Sequence, residues 1–139
     1  MGLLFCDTDS ESAHNGVSVI SDKRPKILIV DDDENVLIAL ERVLEGEGYC
    51  TATAWSGREA LDLLRHRDFD LLLVDEQLAD VDVNDLFGRL EKTRPPVYRL
   101  LLLQEPQGAI VSLGPGTHGA VCKWEHGEIT AKVRSYLNA

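Results

Sequence analysis

The chain has 139 residues, enough for one domain that buries a core of its own without disulfides or metal staples. Its 24 acidic and 14 basic side chains leave a net charge of −10, which excludes a surface built for nucleic acid or anionic lipid, since both need clustered Lys and Arg. Hydrophobic residues at 44% and charged residues at 27% fit a soluble globular protein, and no stretch approaches transmembrane length.

Residues 1–25 are polar with no clear period, and they read as a flexible leader ending near Asp22-Lys23-Arg24-Pro25. A weak strand over residues 17–20 is one option within it. The run Leu3-Leu4-Phe5 is too short for a signal peptide and lacks a basic start. Gly2 invites myristoylation, but Cys6 stands where that motif wants Ser or Thr. The three cysteines, Cys6, Cys50 and Cys122, show no metal motif or disulfide framework in their spacing. Cys50 and Cys122 fall in apolar runs and read as small core residues, and a reducing cytosol is the simplest compartment.

From Lys26 the chain alternates strand and helix. Lys26-Ile27-Leu28-Ile29-Val30 is a continuous apolar run followed by three acids, as suits a strand buried on both faces. Val36, Leu40, Val43 and Leu44 follow at helical spacing, and Gly46 and Gly48 end that helix. Residues 49–54 form a short second strand. Ser56 and Glu59, three apart, make a capping box that opens a helix with Ala60, Leu61 and Leu64 inward. Residues 70–75 are a third strand. Val83, Leu86, Phe87 and Leu90 lie on a helix that ends before Pro95-Pro96. Residues 97–103 are a fourth strand, 106–113 a short fourth helix, and 120–123 a fifth strand. Ile129, Val133, Tyr136 and Leu137 mark a last helix. No internal repeat is visible.

Five β-α units predict an α/β doubly wound parallel sheet with right-handed crossovers and helices on both faces. Ligands of such sheets lie beyond the carboxyl ends of the strands. There the first strand ends in Asp31, Asp32 and Asp33, the third in Asp75 and the fifth in Lys123. Carboxylates so close repel one another, and a bound cation or raised pKa values must relieve the repulsion. Oxygen ligands in an open, watery pocket suit Mg²⁺, with Lys123 as a fixed positive charge opposite. Each group also has a plainer reading: a helix cap for Asp33, a strand-ending turn for Asp75, a surface charge for Lys123.

This set resembles the receiver domain of two-component response regulators. The resemblance is carried by Ile27-Leu28-Ile29-Val30-Asp31-Asp32-Asp33, by Asp70-Leu71-Leu72-Leu73-Val74-Asp75, and by Lys123 after a short apolar strand. It covers residues 26–139 and implies a flavodoxin-like, CheY-like five-stranded sheet in the order 2-1-3-4-5. It further implies that Asp75 takes a phosphoryl group from a phosphohistidine on a sensor histidine kinase or phosphotransfer protein. Asp32 and Asp75 would bind Mg²⁺ directly, Asp31 mostly through water, and the backbone carbonyl of Gln77 would complete the protein ligands. Lys123 would pair with the phosphoryl oxygens. The expected chemistry is self-phosphotransfer and autodephosphorylation rather than turnover of a separate substrate. Output would run through a downstream protein target in the cytoplasm, with a homodimer open and neither nucleic acid nor membrane bound by this chain.

Several positions depart from the family pattern. The family has Ser or Thr at the end of the fourth strand, where Leu103 (or a neighbouring Leu) stands here; Gln104 next to it could donate instead. It has Tyr or Phe three residues before the Lys, where Ala120 stands. Trp124 replaces the Pro after the Lys, Ala79 the Pro beyond the acceptor, and Val83 a common Gly. Loss of both switch positions, Leu103 and Ala120, makes a phosphorylation-independent interaction module the alternative function. An Asp-initiated phosphatase would need a second Asp where Gln77 stands, and no Gly-rich loop follows the first strand for a nucleotide. The four histidines are scattered without metal spacing.

Overall fold

The computed structural model describes residues 23–92, 97–105, 114 and 116–138. Five strands form one sheet: β1 (Lys26–Val30), β2 (Cys50–Ala54), β3 (Leu71–Asp75), β4 (Tyr98–Leu103) and β5 (Gly119–Cys122). Four helices accompany them among the described residues: α1 (Glu34–Gly46), α2 (Gly57–His66), α3 (Val83–Leu90) and α4 (His126–Leu137). The helix expected over residues 106–113 and the leader up to Ser21 and Asp22 fall outside the described residues.

The strand order is β2-β1-β3-β4-β5, every neighbouring pair parallel, as expected. The apolar runs explain it. Successive residues of a strand face opposite sides, so Ile27 and Ile29 enter one core and Leu28 and Val30 the other. The first core joins Val36, Leu37, Leu40 and Leu44 of α1 to Ile129 and Val133 of α4. The second joins Ala60 of α2 to Val83, Leu86, Phe87 and Leu90 of α3. Among the described residues each face of the sheet is thus covered by two helices, and β3, with β1 from Ile27 to Val30, is buried throughout. Cys122 is a buried free thiol, as its apolar run predicts, whereas Cys50 is buried but disulfide-bonded, a pairing its spacing did not signal.

Local signals in the sequence act where they stand. Asp33 caps α1, its side chain accepting the Asn35 N–H at 2.9 Å. Ser56 caps α2 by accepting the Glu59 N–H at 3.1 Å, while the Glu59 carboxylate reaches back to the Trp55 N–H at 2.6 Å. Gly48, with φ of 97°, turns the chain from α1 into β2.

Candidate functional site

Register decides what the strand ends bring together. Val30 pairs with Val74, so the next residues, Asp31 and Asp75, emerge side by side at the carboxyl edge. Asp75 pairs in turn with Leu102 of β4, and the Lys123 N–H bonds to the Leu103 carbonyl just beyond the last β4–β5 pair. Lys123 therefore starts from the far side of β4, and its four-carbon stem reaches back across that strand. Its ammonium lies 2.7 Å from Asp31 Oδ2 and 3.3 Å from Asp75 Oδ2. Asp31, Asp75 and Lys123 are all buried. The surface-charge reading of Lys123 is excluded, and so is the turn-only reading of Asp75.

Both Asp31 oxygens are engaged, Oδ1 by the Asp33 N–H at 2.9 Å and Oδ2 by Lys123. Asp75 Oδ1 accepts the Gln77 N–H at 3.1 Å. Asp32 stays exposed at the mouth. Burial raises the Asp31 pKa above its ordinary value, and the Asp75 charge adds to that, against the pull of Lys123 and the Asp33 N–H. Burial alone would lower the Lys123 pKa, but the hydrogen bond and charge of Asp31, with the charge of Asp75, outweigh it and raise it.

Asp31, Asp32 and Asp75 each offer one carboxylate oxygen such that all three lie within 4.8 Å of one another. Hard oxygen donors at that separation fit Mg²⁺, whose ligands stand about 2.0–2.1 Å from the ion, after a small closing movement. Exposed Asp32 has the freedom to make that movement. Asp31, with both oxygens already bonded, is the one least free to coordinate directly.

The rim differs from the floor. Leu103 is buried and Ala120 half-buried, and neither brings a polar side-chain atom. Gln104 meets the site through its backbone: its N–H donates to Glu76 Oε2 at 3.1 Å and its carbonyl accepts the Trp124 indole N–H at 3.0 Å. Glu76 thus links the end of β3 to the end of β4. Trp55 and Trp124 are 64% and 55% exposed. Asp80 and Asp82 cap helices. Asp82 accepts the Asn84 and Asp85 N–H groups at the start of α3. Asp80 reaches across to the Gly57 and Arg58 N–H groups at the start of α2, at 3.0 and 2.9 Å, and these bonds lower its pKa. Gly57 is needed there because a Cβ would meet Val81 Cγ2 at 2.2 Å. Asp82 is a local cap, whereas only contact between distant loops reveals the roles of Glu76 and Asp80.

Comparison with known proteins agrees with this arrangement. The model of the response regulator receiver domain matches residues 27–134. The transcriptional regulatory protein AfsQ1 of Streptomyces coelicolor is 31% identical over 115 residues, 81% of this chain and 51% of that protein. GlrR of Escherichia coli is 35% identical over 83 residues, 60% of this chain and 19% of that protein. The chain thus spans about half of the first relative and about a fifth of the second. Among solved structures, the receiver domain of an HD domain-containing protein from Pseudomonas fluorescens superposes with a TM-score of 0.73 at 28% identity, covering 84% of this chain and 96% of that one. The response regulator TrrA from Thermotoga maritima, in complex with Mg(2+)-BeF, gives 0.72 at 27%, covering 81% and 99%. With its strand order, its acidic pocket and a family match over most of its length, the chain belongs to the response regulator receiver domains of two-component systems.

Proposed function

We propose that Asp75 is the phosphoacceptor of this receiver domain. The observation that carries the reading is the convergence of Asp31, Asp32 and Asp75 within 4.8 Å, with Lys123 bridging two of them. An Asp75 oxygen attacks the phosphorus of a phosphohistidine on a sensor histidine kinase or phosphotransfer protein. The P–N bond breaks as the P–O bond forms, and the imidazole leaves and takes up a proton. Lys123 neutralises the incoming oxygens at the position it already occupies beside Asp75. Asp32, Asp75 and the Gln77 carbonyl would hold Mg²⁺ directly and Asp31 mostly through water, and the ion offsets phosphoryl charge that a carboxylate would otherwise repel. The product is an acyl phosphate, whose hydrolysis resets the domain, so no separate substrate is turned over.

Residues 26–139 form the receiver on this reading and residues 1–25 a leader. Partners are a phosphodonor protein and a downstream protein target in the cytoplasm, with a homodimer compatible and no nucleic-acid or membrane contact made by this chain. No helix among the described residues is long and apolar enough to cross a membrane. A second reading, a phosphorylation-independent interaction module, is favoured by one observation: Leu103 and Ala120 offer no hydroxyl and no ring to respond to a phosphoryl group. Intact mass after incubation with acetyl phosphate and Mg²⁺ separates the two. The first expects an acid-labile phosphate adduct lost in Asp75→Asn; no adduct on the parent protein rejects it.

A further inference from the structure

The rim of the pocket holds a hydrogen-bonded chain that the proposed chemistry leaves unused. Glu76 takes the Gln104 N–H, and the Gln104 carbonyl takes the Trp124 indole N–H. Cys122 Sγ lies 3.9 Å from the same carbonyl oxygen. One end of the indole is thereby tied to β4, although more than half of the side chain is exposed. The ring centroid is 5.9 Å from Lys123 Nζ, within the range at which an aromatic face attracts an ammonium. That ammonium is the one shared by Asp31 and Asp75.

We propose that Trp124 is a positioning residue for phosphoryl chemistry at Asp75: anchored through Gln104 to Glu76, its ring holds the Lys123 ammonium at the two carboxylates and registers its displacement when Asp75 is modified. The inference rests on Asp75 being the acceptor. Lysine is a point charge on a flexible stem, so its place depends on what surrounds it. In the resting pocket two carboxylates hold it at 2.7 and 3.3 Å, and the indole face stands 5.9 Å away. A phosphoryl group brings three further acceptor oxygens, and these draw the ammonium toward them. Trp124 answers that movement directly, because its ring lies within cation–π range of the ammonium and the side chain reaches solvent. Neither Leu103 nor Ala120 has a group suited to that task.

The test uses the full chain with acetyl phosphate and Mg²⁺, following mass gain with time. Trp124→Ala lowers the rate at saturating donor by about two- to fivefold, the factor expected from an exposed cation–π contact. Trp124→Phe keeps the ring face but loses the N–H bound to Gln104, so it restores the rate in part, which a purely structural role for the indole would not require. Equal rates in the parent and in Trp124→Ala overturn the proposal. A second arm needs no phosphorylation. In a Trp55→Phe background the emission of Trp124 shifts on Lys123→Met, or on Lys123→Gln should the first variant not fold. If the parent gains no phosphate, the acceptor reading of Asp75 falls on its own. The emission then decides this proposal: a spectrum indifferent to Lys123 overturns it, and one that follows Lys123 sustains the positioning contact.

Discussion

At the floor of the pocket Asp31, Asp75 and Lys123 are buried, and each has its charge answered within 3.3 Å. At the rim, Leu103 and Ala120 present only carbon, and Gln104 and Trp124 are joined through a main-chain carbonyl. The two regions lie on the same strand ends but obey different constraints. A buried charge left without its partner is costly, so the floor accepts few alternatives to two acids and a lysine. The rim is open to water and can close its hydrogen bonds in several ways. The family chemistry can therefore persist at the floor while the rim is rebuilt around an indole.

The comparison breaks most sharply at Asp75. Asp75→Asn should abolish the phosphate adduct in intact mass; an adduct that survives would place the acceptor elsewhere. Lys123→Met should come next, costing about 3–5 kcal/mol in urea unfolding, because it strands two buried carboxylates. Mg²⁺ should return part of that loss by binding the folded state alone, and no gain with Mg²⁺ would count against the metal assignment. Gly57→Ala should cost about 1–3 kcal/mol through collision with Val81, and Val81→Ala in the same chain should recover only part of it, because the Val81 Cβ still stands 2.9 Å away.

Smaller effects test the amino ends of β4 and β5, away from the pocket, and then the rim. The His118 imidazole Nδ1 accepts the Arg99 N–H at 3.0 Å, extending the pairing of β4 with the segment before β5. Burial, with the Arg99 charge, lowers its pKa below 6.5, while Glu91 opposes. The folded state then holds the neutral ring where the unfolded chain is protonated. Stability is full above pH 6.5 and falls as the pH drops from 6.5 towards the folded value. A urea midpoint compared at about pH 7.5 and about pH 5.5 should show that slope, and His118→Gln should flatten it. Last, Trp124→Ala should change stability by no more than about 0.5 kcal/mol, as for an exposed side chain, while slowing phosphoryl uptake. A large stability loss there would make the indole structural.

Much of this molecule was legible before its structure. The runs at Lys26–Val30 and Leu71–Asp75 marked buried strands, and Val83, Leu86, Phe87 and Leu90 marked a helix face, because period and burial are written locally. Asp31, Asp32, Asp75 and Lys123 were legible as a set, since strand ends of a parallel sheet share one edge. The roles of Glu76, Asp80 and Trp124 were not. Each depends on a partner 22 to 28 residues away for the two acids, and 20 for the indole. Sequence by itself determined the alternation of elements and the kinds of charge at their tips, because both follow from short-range periodicity. Tertiary structure alone decided that Lys123 crosses β4 to bridge two acids, and that Trp124 is tied to Gln104. Those contacts exist only once register and loop geometry fix where distant residues stand.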